Sequence, residues 1–77
     1  MKRIEVEWLD SESSMGWQTY NDADKFARDS IVVCKSTGYL FWEDAKVLVL
    51  VQSYNPENVS EIIKIPKFAI KKRKFLK

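Results

Sequence analysis

Apolar and charged residues alternate near the start of the chain, where Ile4, Val6 and Trp8 are separated by acidic residues. Side chains of a strand point alternately to opposite faces, so this pattern predicts a half-buried β-strand. The stretch 21–29 has a different pattern, with acids in its first turn, an Asn-Asp pair able to cap it and Arg28 near its end. This arrangement complements the helix dipole and predicts one short helix after the first strand.

From residue 31 onward the pattern favours strands. β-Branched and aromatic runs occupy 31–34 and 39–42, and Thr37-Gly38 between them predicts a bend or a bulge. In the middle of the stretch 46–54, odd-numbered and even-numbered positions are both apolar, which is typical of a strand covered on both faces. Further strands are predicted over 59–65 and 69–76, with turns at 43–44, 55–58 and 66–68.

Short antiparallel strands joined by tight turns predict a mainly β fold, a five- to six-stranded antiparallel small barrel that is closed or nearly closed. The 77 residues form one domain, 1–77, with a marginal core. Cys34 is the only cysteine and the chain has no histidine, which excludes an internal disulfide, a histidine metal site and a Ser-His-Asp triad. Oligomerisation is the remaining means of stabilising so small a core, so we expect a homo-oligomer.

Basic residues are concentrated at the end of the chain. Residues 64–77 hold seven Lys or Arg and no acid, whereas 1–63 hold six basic and eleven acidic residues. This segment suits an anionic partner such as a phosphate, a nucleotide or a nucleic acid, although lysines that protect a strand edge give the same composition. Because strand side chains alternate, at most half of these lysines reach one ligand. Lys67, in a predicted turn, and Lys71 are the candidate contacts.

Trp8 and Trp17 bracket a polar loop. Trp8 shares the parity of the first strand's apolar residues and is predicted to be a core residue that anchors the loop. Trp17 follows Gly16 and leads into polar sequence, so it is the better candidate for stacking on a base. Phe41 and Trp42 alternate within a strand and are interpreted as rings that fill the interior of a small barrel and the seams between its subunits.

The loop between the two tryptophans offers hydroxyl and carboxylate groups. Asp10, Ser11 and Ser13 have the chemistry to hold a ribose or a phosphate, and Gly16 allows the backbone to approach a ligand closely. The alternative is a turn in which these side chains satisfy local backbone groups. Cys34, between Val33 and Lys35, is interpreted as a small buried residue rather than a nucleophile.

Two resemblances add to this interpretation. The stretches 38–40, 47–50 and 65–70 are similar to SH3-like and Sm-like small barrels, in which a bent second strand leads to a long third strand. In these barrels a 3₁₀ turn precedes the last strand, and the sequence IPKFAI resembles that turn. Over most of its length the chain also resembles small uncharacterised phage and prophage proteins of the form W-x-D-S…G-W, S-x-G-Y-L and I-P-K…I. Ser36 and Tyr39 belong to the second of these motifs.

The second resemblance implies a phage accessory protein, acting in the host cytoplasm if it is phage-encoded. Several compact oligomeric phage proteins sequester nucleotide signals made by bacterial defence systems, and by this analogy we expect a small nucleotide as ligand. The alternatives are a barrel that binds single-stranded nucleic acid and a protein-interaction or structural module. The candidate ligand-binding residues are Asp10, Ser11, Ser13, Gly16, Trp17, Ser36, Tyr39, Lys67 and Lys71.

Other functional classes are disfavoured by what the sequence lacks. It contains no Gly-rich phosphate loop, zinc-ligand spacing or nucleophile elbow, so we expect neither an enzyme nor a cofactor or metal site. The longest apolar run, 47–51, is too short to span a bilayer. The alternating start is unlike a signal peptide, and together with the single thiol it favours the cytoplasm.

Overall fold

The computed structural model describes residues 1–11 and 16–77. These residues form five strands, one α-helix and one 3₁₀ turn. In chain order they are β1 Arg3–Leu9, α1 Tyr20–Arg28, β2 Val33–Glu43, β3 Val47–Tyr54, β4 Val59–Pro66, the 3₁₀ turn Lys67–Ala69, and β5 Ile70–Leu76. The mainly β class, the single helix after the first strand and the 3₁₀ turn before the last strand are therefore confirmed.

The strands pair antiparallel in one sheet of order β4-β3-β2-β1-β5. This sheet is open, with β4 and β5 as its edges, so a closed barrel is not confirmed. It is nevertheless strongly curled, because only four residue steps join Pro66 in β4 to Ile70 in β5. Four steps span at most about 14 Å, whereas the edges of a flat five-stranded sheet lie about 19 Å apart.

The core lies on the concave face of the curled sheet. Ile4 and Val6 of β1 are fully buried there, as the alternation in the sequence predicts. They pack with Leu48, Leu50 and Ile65 from β3 and β4. Trp8 packs against this cluster, as do Leu40, Ile63 and Ile70, which confirms the prediction that Trp8 is an anchor in the core.

The irregularity of β2 lies later than the sequence predicts. The β1–β2 ladder runs without a break through Thr37 and Gly38. The register shift instead falls between Leu40 and Trp42 in the β2–β3 pairing. An extra residue in a strand reverses which face the following side chains occupy. Phe41 and Trp42 are 49% and 57% exposed, so the expectation that they fill the interior of this chain is wrong. Their alternative place, at a seam between subunits, stays a prediction.

Two of the predicted turns, at the β2–β3 and β3–β4 connections, each form around an acceptor side chain. Asp44 Oδ1 accepts hydrogen bonds from the backbone N–H groups of Lys46 and Val47, and these bonds lower the pKa of the Asp44 carboxyl. Asn55 Oδ1 accepts in the same way from the N–H groups of Glu57 and Asn58. Such Asx turns end one strand and begin the next within a few residues.

Candidate ligand-binding site

The polar loop begins at the end of β1. One backbone hydrogen bond beyond the last residue pair of the β1–β2 ladder still joins the two chain segments. That bond runs from Asp10 N–H to the Val32 carbonyl, at 3.1 Å. The Asp10 carboxylate accepts from the Ser11 N–H at 2.8 Å, while its other oxygen lies 3.8 Å from Cys34 Sγ. At this position Asp10 satisfies a local backbone group, as the turn interpretation expects.

Beside this loop end lies an open depression of about 390 Å³, formed with the end of α1. Two carboxylates, Asp10 and Asp29, line it, and no basic side chain does so among residues 1–11 and 16–77. It therefore suits hydroxyl groups or a cation better than a phosphate. The remaining lining residues are Ser11, Phe26, Ala27 and Ile31. Of the candidates in the rest of the loop, Ser13 lies outside the described residues.

Gly16 and Trp17 lead from the loop into α1. Gly16 has φ of +86°, a left-handed conformation that favours glycine. The Trp17 ring is fully exposed. The structure therefore places a large aromatic surface in solvent at the position where the sequence predicts a stacking platform.

Ser36 lies on β2 beside a cleft between two pairs of strands, whereas Tyr39, three residues later in β2, borders a separate depression. Residues 33–38 of β2 pair with β1 alone, while Gln52 and the following residues of β3 lie beyond the β2–β3 ladder. The two pairs of strands diverge, and the cleft between them measures about 350 Å³. Ser36 and Thr37 line one side of it, and Gln52 and Glu61 belong to the opposite pair.

Within this region both candidate side chains already make contacts. Ser36 Oγ accepts a hydrogen bond from Trp8 Nε1 at 3.0 Å, so it holds the core tryptophan in place. Tyr39 packs edge-to-face against Tyr54, with ring centroids 4.9 Å apart. The Tyr39 ring also borders a shallow polar depression formed with Gln52, Ser53 and Tyr54.

Lys67 and Lys71 lie at the other end of the sheet, after β4. Lys67 Nζ is 2.9 Å from the Glu43 carboxylate, which also accepts two hydrogen bonds from Arg73 at 2.5 and 3.1 Å. The hydrogen bonds from Arg73, and then those from Lys67, lower the pKa of Glu43 to about 2. Lys71, at the start of β5, is exposed.

Acidic partners face much of the basic segment. In the β1–β5 ladder, Lys72 lies opposite Glu7 and Lys74 lies opposite Glu5. Lys35 of β2 forms an ion pair with Glu7 at 3.4 Å. Cross-strand pairs of opposite charge stabilise a sheet and compensate its local charge. The field that this segment offers to a polyanion is therefore weaker than its composition indicates.

The candidate residues do not surround one pocket within a single chain. Asp10 lies beside Cys34 near the start of β2, whereas Lys67 contacts Glu43 at the end of the same strand. Nine residue steps separate these two positions along β2, a length of about 30 Å. The polar loop with Trp17, the part of β2 that holds Ser36 and Tyr39, and the pair of lysines are thus three separate groups.

Glu43 is the residue whose role sequence reasoning missed. The adjacent acids Glu43 and Asp44 suggest a solvated turn, and Asp44 has that role. Glu43 instead joins β2 to β5 through Arg73, 30 residues later in the chain. The pairing depends on the curl of the sheet, and no local signal in the sequence points to it.

Among residues 1–11 and 16–77, no group of three or more His, Cys, Asp or Glu side chains is placed to hold a metal ion. No helix in the same part of the chain is long and apolar enough to cross a membrane. No protein-family model matches the chain, and no curated protein or solved structure shows significant similarity to it.

Proposed function

We propose that the chain is a non-enzymatic, homo-oligomeric protein of the phage accessory type that binds a small nucleotide. In this role it sequesters a signal of bacterial defence in the host cytoplasm. The curled sheet is, in this proposal, the sheet of an SH3-like or Sm-like small barrel. The full exposure of the Trp17 ring beside a polar loop is the observation that carries the proposal.

Separation of the candidate groups favours a binding site formed between copies of the chain. Trp17 offers a stacking face, Ser36 lines a cleft, Tyr39 borders a separate depression and Lys71 supplies a positive charge. Each of them lies in a different part of one chain. A ligand that is enclosed by two subunits loses more of its surface to the protein than one resting on a single open depression. Oligomerisation would also arrange these groups before the ligand arrives.

Thermal unfolding with a panel of mono-, di- and cyclic nucleotides tests this function. A nucleotide at 100 times its Kd stabilises the protein by about 2.7 kcal/mol, which raises the Tm of a domain of this size by roughly 10–20 °C. We expect one nucleotide to produce the shift and Trp17→Ala to abolish it. Phe68→Ala is the matched control, because Phe68 is equally accessible but lies in the 3₁₀ turn. A panel without any shift overturns the proposal.

A protein-interaction module is the second candidate function, and the exposure of every residue of α1 favours it. Single-stranded nucleic acid is the less favoured ligand, since Lys72, Lys74 and Arg73 face acidic partners. An oligonucleotide titration separates this ligand from a small nucleotide. Binding to a strand weakens with salt at a log–log slope of about −0.7 per neutralised phosphate, whereas a mononucleotide contacts too few phosphates to give a steep slope.

A further inference from the structure

The connection between β1 and β2 carries a helix that buries none of its side chains against the residues that the structure describes. Helix α1 spans nine residues, and each of them is exposed. At 100° per residue, Tyr20, Ala23, Phe26 and Ala27 fall within one arc of about 120°, so the helix has an apolar face. An apolar face of this kind normally packs against another element.

Local interactions do not account for the stability of α1. The Thr19 hydroxyl accepts from the Asp22 N–H at 3.1 Å as an N-cap, and Arg28 pairs with Asp24 at 2.9 Å. A cap contributes about 1 kcal/mol and an exposed i,i+4 pair about 0.3–0.5 kcal/mol. Isolated helices shorter than about 12–15 residues are marginal in water. The helix therefore needs a tertiary or quaternary contact.

The shape of the chain points to a large contact with another molecule. Its accessible surface is 6535 Å², whereas a folded monomer of 9.1 kDa exposes about 4,900 Å². Its radius of gyration is 16.2 Å, against about 11.5 Å for a compact domain of this length. The excess surface is about 1,600 Å² per chain. Two copies that each bury this excess reach the range of about 2,000–5,000 Å² typical of obligate dimers.

The sheet presents an apolar surface that matches the helix in chemistry. Trp42 lies opposite Val49, and Val51 lies opposite Ile62, all on the face of the sheet away from the core. We call these four residues the outer patch. Val49 and Val51 are buried at its centre, while Trp42 and Ile62 at its rim are 57% and 60% exposed. Lys64 lies opposite Val49 and adds a positive charge beside the patch.

We propose that residues 16–32, here called the arm, pack against the outer patch of a second copy of this chain, in a reciprocal exchange of arms. The apolar face of α1 would cover Trp42 and Ile62 of the partner copy. Asp22 and Asp29 at the two ends of α1 would place negative charge near Lys64. Because one chain carries both the arm and the outer patch, the arm of each copy covers the outer patch of the other, and the dimer is closed.

A second copy fits the shape better than an unrelated protein. The molecule measures 52 × 23 × 22 Å, so two chains lying side by side in opposite directions bring each arm alongside the other's sheet. This arrangement removes the excess surface from both chains at once, whereas an unrelated partner on the arm would leave the outer patch uncovered. The proposal deepens the homo-oligomer of the proposed function, but its test requires no nucleotide.

Native mass measurement of the purified chain tests the contact. We expect twice the chain mass of 9.1 kDa for the wild type, and the single mass for Tyr20→Glu and for Ile62→Glu at the same concentration. Phe75→Glu is the matched control and should remain dimeric, because Phe75 is 50% exposed but lies on edge strand β5, opposite Ile4 of the core face. Circular dichroism of each variant checks that the sheet still forms.

Cross-linking locates the contact directly. In a Cys34→Ser background, a Tyr20→Cys chain is mixed with an Ile62→Cys chain and treated with a short bis-maleimide. We expect a mixed dimer from this pair and none from Tyr20→Cys with Phe75→Cys. A monomeric wild type, or cross-linking that ignores position, overturns the arm exchange. A dimer that binds no nucleotide supports the arm exchange and overturns only the proposed function.

Discussion

The Glu43 carboxylate at the end of β2 accepts two hydrogen bonds from Arg73 on β5, a strand that is not its neighbour in the sheet. Lys67 joins the same carboxylate from the 3₁₀ turn. Glu43 thereby links β2, the 3₁₀ turn and β5. Charge-assisted, two-pronged pairs of this kind are stronger than single neutral hydrogen bonds.

Glu43→Gln should lower the free energy of unfolding by an amount that depends on pH. The pKa of Glu43 is lowered from 4.5 to about 2 by Arg73 and Lys67, so its ionised form stabilises the fold. This contribution is complete above about pH 5 and is lost as the pH falls towards 2. The carboxylate remains partly solvated, so we expect Glu43→Gln to cost about 1 kcal/mol at pH 7. Urea unfolding at pH 7, 4 and 2 measures it.

Asp24→Asn is the matched control, because it also changes a carboxylate to an amide but affects an exposed pair with Arg28. Its cost should stay below about 0.5 kcal/mol at each pH. Equal urea midpoints for E43Q and the wild type at pH 7 would contradict a role for Glu43 in joining the two strands.

Gly38 lies in β2 with its Cα facing the backbone of β3, and a larger residue there should push the two strands apart. A Cβ at this position would stand 2.9 Å from the Val51 carbonyl oxygen and 3.4 Å from Leu50 Cβ. Both neighbours belong to the most buried strand, which cannot move without disturbing the core. We expect Gly38→Ala to destabilise the protein by about 1–3 kcal/mol, measured by thermal or urea unfolding. Thr37→Ala, at the exposed neighbouring position, should change stability by less than about 0.5 kcal/mol.

Features of the fold that depend on neighbouring residues could be predicted from the sequence. Alternation placed Ile4 and Val6 on the core face, and both are fully buried. The apolar run from Leu48 to Val51 is buried at both parities, as its pattern predicts. The sequence IPKFAI forms the 3₁₀ turn, because Pro66 ends the pairing of β4. In each case the signal lies within a few residues of the feature.

Features that depend on distant residues could not be predicted. A bulge near Phe41 shifts the register by one residue and turns Trp42 to the outer face, within a run of four apolar or aromatic residues, 39–42, that shows no alternation. The same limit applies to the candidate site. Residue types identify hydroxyls, aromatics and lysines, but the sheet places Asp10 and Lys67 at opposite ends of β2. The path of the sheet, rather than composition, decides which of them can meet.

Ser36 is expected to contribute to stability even without a ligand. Its hydroxyl accepts the hydrogen bond of Trp8 Nε1 at 3.0 Å in a partly buried position. Ser36→Ala leaves that N–H without its partner, which costs about 1–2 kcal/mol. Ser36→Thr retains the hydroxyl and should recover most of this loss, while Ser60→Ala on exposed β4 serves as control. Urea unfolding in nucleotide-free buffer measures all three, and unchanged stability of S36A would show that the hydroxyl is available to a ligand instead.

The rate at which Cys34 is alkylated tests whether the pairing of β1 with β2 extends as far as Asp10. Partial burial, followed by the charge and the hydrogen bond of Asp10, raises the pKa of the Cys34 thiol. Only the thiolate attacks an alkylating agent, so the folded chain should react with iodoacetamide at pH 8 more slowly than the urea-unfolded chain.

Asp10→Asn removes the charge and should accelerate this alkylation, since a lower pKa of the Cys34 thiol raises the thiolate fraction at pH 8. Asp29→Asn, another carboxylate lining the same depression, is the control and should leave the rate unchanged. In urea the two variants and the wild type should react alike, because the contact between Asp10 and Cys34 depends on the pairing of β1 with β2. Equal rates for D10N and the wild type in the folded state would mean that this pairing ends before Asp10, and the loop would then begin nearer to Trp8.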